Sequence, residues 1–179
     1  MKRRSIAIIG SLVLIVLVAF SVLLATRAPA PTASSLASPL LGKSAPMITG
    51  ATLSGQRFSL ANEKGRVVVV NFWASWCGPC QQEAPELSTF AWQERSKGTD
   101  LVGVLFNDSV SAARSFQRTY GSLYPTVVDV GGRIGNDYGV VAPPTTFVID
   151  RQGVVAAALV GPTSASQLAR VVARVEAMG

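Results

Sequence analysis

The sequence predicts an α/β domain in which helices flank a mixed, largely parallel sheet. Short runs rich in valine, isoleucine and threonine, which are typical of strands, alternate with stretches whose apolar residues recur at helical spacing. Strands that alternate with helices favour crossover connections and therefore parallel pairing. The last two runs are separated by Arg151, Gln152 and Gly153, a length that suits an antiparallel hairpin. The predicted strands lie at residues 67–72, 100–106, 126–130, 145–150 and 154–160.

Three helices are predicted between and after these strands. The first begins at the chain's pair of cysteines. The second starts after Asp108 or Ser109, either of which can cap it, and Gly121 ends it. The third starts at Ser164 or Ser166 and closes the chain. Apolar residues along one side of each helix predict a buried face against the sheet.

The amino end is a separate region. Residues 6–25 carry no charge, and a helix of about 20 residues rises about 30 Å, the thickness of a bilayer's hydrocarbon core. We predict a transmembrane anchor at 6–25, or a cleaved signal, since Ala-Pro-Ala at 28–30 resembles a peptidase site. Cations in a cytoplasmic basic tip at 1–5 place the remainder outside the cytoplasm, where the domain is membrane-anchored, or secreted after cleavage. A Pro/Ala/Ser-rich tether at 26–40 then precedes the folded domain at 41–179.

Charge and composition exclude several classes of function. The chain of 179 residues has 16 Lys and Arg against 10 Asp and Glu, a net charge of +6. Four of the cations flank the apolar segment, and the remaining 12 leave a net charge of only +2, so we expect no nucleic-acid partner. The chain contains no histidine, which removes Cys-His and Ser-His catalysis and the commonest metal ligand. We expect neither a cofactor nor a bound metal.

The chain's two cysteines, Cys77 and Cys80, are its main chemical signal. They follow the strongest predicted strand and open the next helix, where unpaired N–H groups and the helix dipole favour a thiolate. Cys77, the outer residue, is the predicted nucleophile. Cys80 can resolve a mixed disulfide or close the redox-active Cys77–Cys80 disulfide. The alternatives are a zinc site, a purely structural disulfide and copper handling. Zinc needs more ligands than two cysteines, and a disulfide that spans only three residues constrains the unfolded chain little.

Three segments carry a family resemblance. They are VVVVNFWASWCGPCQQEAPEL at 67–87, YGVVAPPTTFVIDRQGVV at 138–155 and LLGKSAPMITGATLSGQRFSL at 40–60. Together they resemble the TlpA/ResA/CcmG (DsbE)-like membrane-anchored thiol-disulfide oxidoreductases of the thioredoxin superfamily. The likeness covers about residues 41–179. It implies a thioredoxin fold with an amino-terminal β-hairpin extension.

The resemblance also implies a substrate groove beside the cysteines. Pro144 matches the family's cis-proline, which lies next to the cysteine pair and shapes the groove. Trp76, Pro143 and Thr145 are expected to line the groove with it. In thioredoxin-like proteins the residue before the cis-proline offers its backbone to a bound peptide. Because Pro143 has no N–H, it can offer only its carbonyl.

Glu83 is the expected group for proton transfer. It falls three residues after Cys80, on the same face of the helix, where the resemblance places an acidic residue. Thioredoxins carry their buried acid six residues before the first cysteine, where this chain has Asn71, whose amide cannot accept a proton. We expect burial and a nearby thiolate to raise the pKa of Glu83.

The resemblance favours an enzyme that reduces partner disulfides outside the cytoplasm, with a membrane thiol electron donor that restores the dithiol. The expected substrate is the pair of haem-binding cysteines of apocytochrome c. Alternatives are copper delivery or thiol reduction with a cytochrome oxidase assembly factor as partner, and disulfide oxidation or isomerisation of exported proteins. Peroxide reduction is disfavoured, because peroxide-reducing relatives carry Thr or Ser where this chain has Ala74, three residues before Cys77.

Overall fold

The computed structural model describes residues 12–21, 32–122 and 124–178. The chain divides into two units between residues 31 and 32. In the first unit, residues 12–21 are helical and exposed. The remainder of the predicted anchor at 6–25 and the predicted basic tip at 1–5 lie outside the described residues. In the described ranges, no helix is both long enough and apolar enough to cross a membrane.

The strands of the second unit are β1 Ser34–Ser35, β2 Thr49–Ala51, β3 Arg57–Ser59, β4 Val67–Trp73, β5 Thr99–Leu105, β6 Thr126–Val128, β7 Thr145–Ile149 and β8 Val155–Val160. Six of them form a mixed sheet with strand order β1-β8-β7-β4-β5-β6, and β2 and β3 form the separate amino-terminal hairpin that the family resemblance implies. Strands β4, β5 and β6 are parallel, whereas the pairs β4–β7, β7–β8 and β8–β1 are antiparallel. The predicted α/β domain with a mixed sheet is therefore confirmed, but three of the five strand pairs are antiparallel, so the sheet is less parallel than predicted.

The helices begin at the caps that the sequence offers. Ser109 Oγ accepts the Ala112 N–H at 3.2 Å, and Ser164 Oγ accepts the Gln167 N–H at 3.1 Å. Ser109 therefore caps the second predicted helix, and Ser164 caps the last. The helices are α1 Gly78–Glu94, α2 Val110–Tyr120, α3 Arg133–Asp137 and α4 Ala165–Glu176.

The strand predicted at 126–130 is shorter than expected, because β6 ends at Val128. Asp129 turns out of the strand, and its carboxylate oxygens accept the N–H groups of Ile134 and Gly135 at 2.9 and 2.8 Å. These bonds hold the start of α3. Helical spacing could not predict α3, because five residues are too few to show a period.

Strand β4 lies at the centre of the sheet, and all seven of its residues are buried. A strand that is covered on both faces reads as a continuous apolar run, which is why its valines do not alternate with polar residues. One face packs against α1 and α4, in a cluster that includes Val69, Leu87, Phe90, Leu168 and Val172. On the other face, Phe72 lies 5.2 Å from Tyr138 and 5.9 Å from Phe147 between ring centroids. This packing fixes the end of β4, from which the cysteine loop departs.

The predicted tether at 26–40 differs from the structure in its second half. Residues 26–31 lie outside the described residues, but Ser34 and Ser35 form β1 and pair with β8. The Leu36 N–H also donates to the Ala158 carbonyl at 2.8 Å. The Pro/Ala/Ser-rich composition of this segment predicts little apolar burial. The segment is nevertheless ordered, because its backbone forms hydrogen bonds with the otherwise unpaired edge of β8. The compact unit that contains the sheet thus begins at Thr32, within the segment predicted as a tether.

Candidate active site

The cysteines lie where β4 leads into α1. Cys77 is the N-cap residue of α1, Cys80 lies in its first turn, and the two form a disulfide with Cα atoms 5.2 Å apart. Cys77 Sγ accepts the Cys80 N–H at 3.2 Å, in the place that a serine or aspartate cap usually takes. Pro79 fits this turn because the first N–H groups of a helix have no intrahelical partner to lose.

Burial does not separate the two sulfur-bearing residues. Cys77 and Cys80 are 4% and 2% exposed. The loop and α1 enclose both residues, so exposure alone does not distinguish the predicted nucleophile from the predicted resolving cysteine. The two residues differ in position along the helix. Cys77 Sγ faces the amino end of α1, where an N–H donor and the positive end of the helix dipole would stabilise a thiolate.

The loop that carries Cys77 is held by the residues that follow β5. The Ser75 N–H donates to Asp108 Oδ2 at 2.6 Å, and Trp76 Nε1 donates to the Asn107 carbonyl at 3.1 Å. Asn107 has a φ of 45°, a left-handed conformation that asparagine tolerates better than most residues. Because β4 and β5 are parallel, their carboxyl ends meet at one edge of the sheet. This is why the two loops contact each other.

Pro144 forms the cis peptide bond that the resemblance implies, with Pro143 before it. The next residue, Thr145, begins β7 and pairs with Phe72 of β4. The antiparallel register therefore places Pro144 at the level of Trp73, at the end of β4 from which the cysteine loop departs. The cis-proline and the cysteine loop thus lie at the same edge of the sheet.

The predicted groove residues differ in exposure. Trp76 is 58% exposed, Pro143 is half-buried, and Pro144 and Thr145 are buried. The hydroxyl of Thr145 donates to the Ala142 carbonyl at 2.7 Å, which ties the proline loop to the start of β7. Trp76 and Pro143 are therefore the groove candidates that a partner could touch by their side chains.

Glu83 is buried and only 1% exposed, so it is no ordinary surface glutamate. Its Oε1 accepts the Thr163 N–H at 2.9 Å and the Thr163 hydroxyl at 2.6 Å, and its Oε2 accepts Asn71 Nδ2 at 3.1 Å. In the described part of the chain no Lys or Arg forms an ion pair with it. Burial raises the pKa of Glu83 above its ordinary value of 4.5, and the donors from Thr163 and Asn71 oppose this rise.

Asn71 joins Glu83 to the strand that follows the cis-proline. It is fully buried on β4 and stands opposite Thr146 of β7. Asn71 Nδ2 donates both to Glu83 Oε2 and to Thr146 Oγ1, the latter at 3.0 Å. Asn71 Oδ1 has no hydrogen-bond partner among the described residues. The helix bearing the cysteines, the central strand and the proline strand are thus connected through one buried polar cluster.

Sequence reasoning missed four of these supporting residues. Asn107 and Asp108 could have been found, because residues after neighbouring parallel strands meet at one sheet edge. Thr146 could have been found only with the register of β7 against β4 in hand. Thr163 lies 80 residues from Glu83, in the loop before α4, and no local pattern marks it.

This fold, with its disulfide-bonded cysteine pair at the start of α1, defines a thiol-disulfide oxidoreductase of the thioredoxin type. The paired cysteines are the only groups of the site that can carry electrons, and the surrounding residues hold or shield them. Residues 41–158 match the AhpC/TSA family, and the chain belongs to this family.

Individual relatives agree with the family. A thiol-disulfide oxidoreductase ResA of Bacillus thuringiensis subsp. konkukian is 33% identical over 128 residues, which cover 72% of this chain and 74% of the relative. A solved thioredoxin-family thiol:disulfide interchange protein of Chlorobium tepidum is 34% identical, with a TM-score of 0.67 over 74% of this chain and 94% of that one. A secreted Mycobacterium tuberculosis disulfide oxidoreductase, homologous to Escherichia coli DsbE, is 30% identical, with a TM-score of 0.63 over 71% and 95%. This chain is a thiol-disulfide oxidoreductase of the ResA and DsbE type.

Proposed function

We propose that this protein reduces disulfides in partner proteins outside the cytoplasm, through attack by Cys77 and resolution by Cys80. The observation that carries the proposal is the position of Cys77 as the N-cap of α1, with its Sγ 3.2 Å from the Cys80 N. A thiolate at this position is stabilised by the N–H donor and by the helix dipole. Cys77 is therefore a better nucleophile than Cys80 when the pair is reduced, and a better leaving group than Cys80 when the pair is oxidised.

The reaction is a balanced two-electron exchange. The Cys77 thiolate attacks one sulfur of the partner's disulfide, which forms a mixed disulfide and releases the other sulfur as a thiolate. The deprotonated Cys80 then attacks Cys77 Sγ, so that the Cys77–Cys80 disulfide forms and the partner's second sulfur leaves. The two protons of the dithiol pass to the two thiolates of the partner. A membrane thiol electron donor returns two electrons and two protons to the pair.

Glu83 is the proposed carrier of the Cys80 proton. It lies one helical turn after Cys80 on α1, and both residues are buried, so water has little access to the resolving thiol. A carboxyl group whose pKa is raised by burial can accept a proton closer to neutral pH than an ordinary glutamate can. Glu83 thus takes the proton when Cys80 becomes a nucleophile and returns it when the pair is reduced.

The proposed docking site consists of Trp76, Pro143, Pro144 and Thr145. The exposed indole of Trp76 offers an apolar surface beside the nucleophile, and its N–H is bound to the Asn107 carbonyl, which fixes the ring's position. A peptide that lies alongside Pro143 can donate to its carbonyl but finds no N–H there. We therefore expect the partner's chain to make one backbone hydrogen bond fewer than it would with another residue at this position.

The location and the substrate rest on the sequence and on relatives. The uncharged segment at 6–25 supports an anchor or signal that places the domain outside the cytoplasm, and one similar solved protein is described as secreted. The relatives named thiol-disulfide oxidoreductase ResA and thiol:disulfide interchange protein DsbE homolog support thiol-disulfide exchange, and the reducing direction rests on the family resemblance. By this resemblance, the haem-binding cysteines of apocytochrome c are the proposed substrate.

A trapping experiment tests the proposal. In the native host, Cys80→Ser leaves Cys77 free to attack but removes the thiol that resolves the mixed disulfide, so the partner should stay bound to Cys77. Non-reducing purification followed by mass spectrometry should then recover an apocytochrome c, and the matched Cys77→Ser variant should recover none. Recovery of an oxidase assembly factor would replace the proposed substrate, and no trapped partner in either variant would contradict the proposal.

The direction of electron flow has its own test. A redox titration of the Cys77–Cys80 pair against glutathione or dithiothreitol should give a reducing potential, well below the roughly −120 mV of a strong periplasmic disulfide donor. A potential near that of the donor would show that the protein oxidises its partners and does not reduce them.

A further inference from the structure

The side-chain amide of Asn71 is paired at only one of its two ends. Its nitrogen makes two hydrogen bonds, to Glu83 Oε2 at 3.1 Å and to Thr146 Oγ1 at 3.0 Å. Its oxygen, fully buried, has no partner in the described part of the chain. A buried acceptor that is left without a donor costs stability, so packing alone does not explain why an amide stands here.

The observed pairing suits only one protonation state of Glu83. An ionised carboxylate accepts hydrogen bonds at both oxygens, and Asn71 Nδ2 supplies one to Oε2. A protonated Glu83 carries a donor of its own. Because Oε1 already accepts two hydrogen bonds from Thr163, the added proton belongs on Oε2, where it faces the amide and requires an acceptor.

We propose that Asn71 is a positioning residue that pairs with Glu83 in both protonation states by turning its side-chain amide. A half-turn about the Cβ–Cγ bond exchanges Oδ1 and Nδ2, which are nearly equal in shape. Oδ1 then accepts the proton of Glu83 Oε2 and the hydroxyl proton of Thr146. The amide makes two hydrogen bonds in either orientation, so uptake of a proton by Glu83 leaves neither Oε2 nor Thr146 unpaired. The amide gains and loses no atoms, and the proton that moves is the one exchanged with Cys80.

None of the other groups around Glu83 can pair with its Oε2 in both protonation states, as the Asn71 amide can. On its own helix lie the cysteine pair and the exposed Glu86, which instead accepts the Ala165 N–H at 2.8 Å. Tyr124, in the loop before β6, packs against the same core cluster as α1, and its pKa is raised mainly by burial and further by the charge of Glu83, so it stays neutral. The remaining hydrogen bonds come from the Asn71 amide on β4 and from the backbone N–H and hydroxyl of Thr163 in the loop before α4, none of which titrates. No cation in the described residues fixes Glu83 in its ionised form.

The inference rests on the proposed role of Glu83 in proton transfer, but its test does not depend on activity. In the oxidised full-length protein the cysteines do not titrate, so Glu83 can be followed alone. NMR with labelled side chains should show the Glu83 carboxyl carbon and the Asn71 amide nitrogen changing with one shared midpoint as the pH is varied. Asn71 signals that stay constant through the titration of Glu83 would overturn the proposal, and this measurement needs no variant.

Substitutions give a second readout. Asn71→Leu keeps the size of the side chain but removes one hydrogen bond from each protonation state of Glu83. Because the bond to the charged carboxylate is the stronger of the two, its loss should raise the proton affinity of Glu83 about tenfold. Asn136→Leu, on the exposed face of α3, is the matched control and should leave the midpoint in place. An unchanged midpoint in Asn71→Leu would contradict the proposal.

A third variant distinguishes failure of this inference from failure of the proposed function. The rate at which the reduced protein is alkylated, plotted against pH, should show one inflection fewer in Glu83→Gln than in the wild type if Glu83 exchanges a proton with Cys80. If Glu83→Gln keeps the wild-type profile, the proton-transfer role is wrong, while the NMR titration still decides the behaviour of the amide. If Glu83→Gln changes the profile and Asn71→Leu does not, only the inference about Asn71 is overturned.

Discussion

Thr163→Val tests how the charge of Glu83 is held. The substitution removes the hydroxyl that donates to Glu83 Oε1 at 2.6 Å and replaces it with a methyl group of similar shape. Thr163 and Glu83 are 3% and 1% exposed, so water cannot take the place of the lost donor. A hydrogen bond to a charged group contributes about 1.5–3 kcal/mol, and we expect the free energy of unfolding to fall by this amount at a pH where Glu83 is ionised.

The charge dependence of this loss is measured with a double-mutant cycle. In a Glu83→Gln background the acceptor is neutral, and Thr163→Val should cost only about 0.5–1.5 kcal/mol. The assay is urea unfolding of the four oxidised proteins, with Thr119→Val as a control because the Thr119 hydroxyl is exposed and should contribute less than about 0.5 kcal/mol. If the effects of the two changes add to within about 0.5 kcal/mol, the hydroxyl does not hold the charged form of Glu83, and the reasoning fails.

Three further predictions concern pH, the cysteine loop and docking. As pH rises from 4.5 through the raised pKa of folded Glu83, the folded protein keeps a proton that the unfolded chain has lost, so the free energy of unfolding should fall. Glu83→Gln should make this fall shallower in urea unfolding measured across pH. A smaller fall should remain, because burial also raises the pKa of Glu63. A slope equal to that of the wild type would contradict the assignment to Glu83. Asp108→Ala removes the acceptor of the Ser75 N–H and should cost about 1–3 kcal/mol in urea unfolding, whereas Asp137→Ala, in an exposed ion pair, should cost less than about 1 kcal/mol. Equal costs would show that Asp108 does not hold the cysteine loop. Trp76→Ala should raise KM for a protein disulfide about tenfold without changing reduction of the pair by dithiothreitol. Trp92→Ala, at a more exposed tryptophan on α1, should change neither quantity. A rise in KM with both variants would remove Trp76 from the docking site.

The parts of the site that the sequence predicts are those built from neighbours in the chain. The apolar run of β4, the cysteines after it and Pro79 within the first turn specify a strand, a loop and a helix start in sequence order. The hydroxyls of Ser109 and Ser164 mark helix starts for the same local reason. The position of Glu83 one turn after Cys80 follows from helical geometry alone.

The parts that the sequence could not predict depend on contacts between distant elements. The donors to Glu83 come from Thr163, 80 residues away, and from Asn71 on another element. The order of residues 34–35 depends on an open edge of β8, which exists only once the sheet has formed. The burial of Cys77 likewise comes from packing that no local pattern encodes, whereas its place at the start of the helix follows from the local sequence.

Two buried glutamates in the described residues show why Glu83 stands apart. Glu94 is 8% exposed, and its Oε1 lies 2.8 Å from the ammonium group of Lys97, so its charge is paired in the usual way. Glu83 is more deeply buried and has neutral donors only, which reduce the cost of its charge but do not remove it. In a chain whose caps, strands and core otherwise agree with local rules, a buried carboxyl group that no cation in the described residues pairs with is a feature that stability alone would not retain. Under the proposed function, its place one turn after Cys80 explains this cost, because burial raises the pKa of Glu83 and so brings proton uptake closer to neutral pH than in an ordinary glutamate.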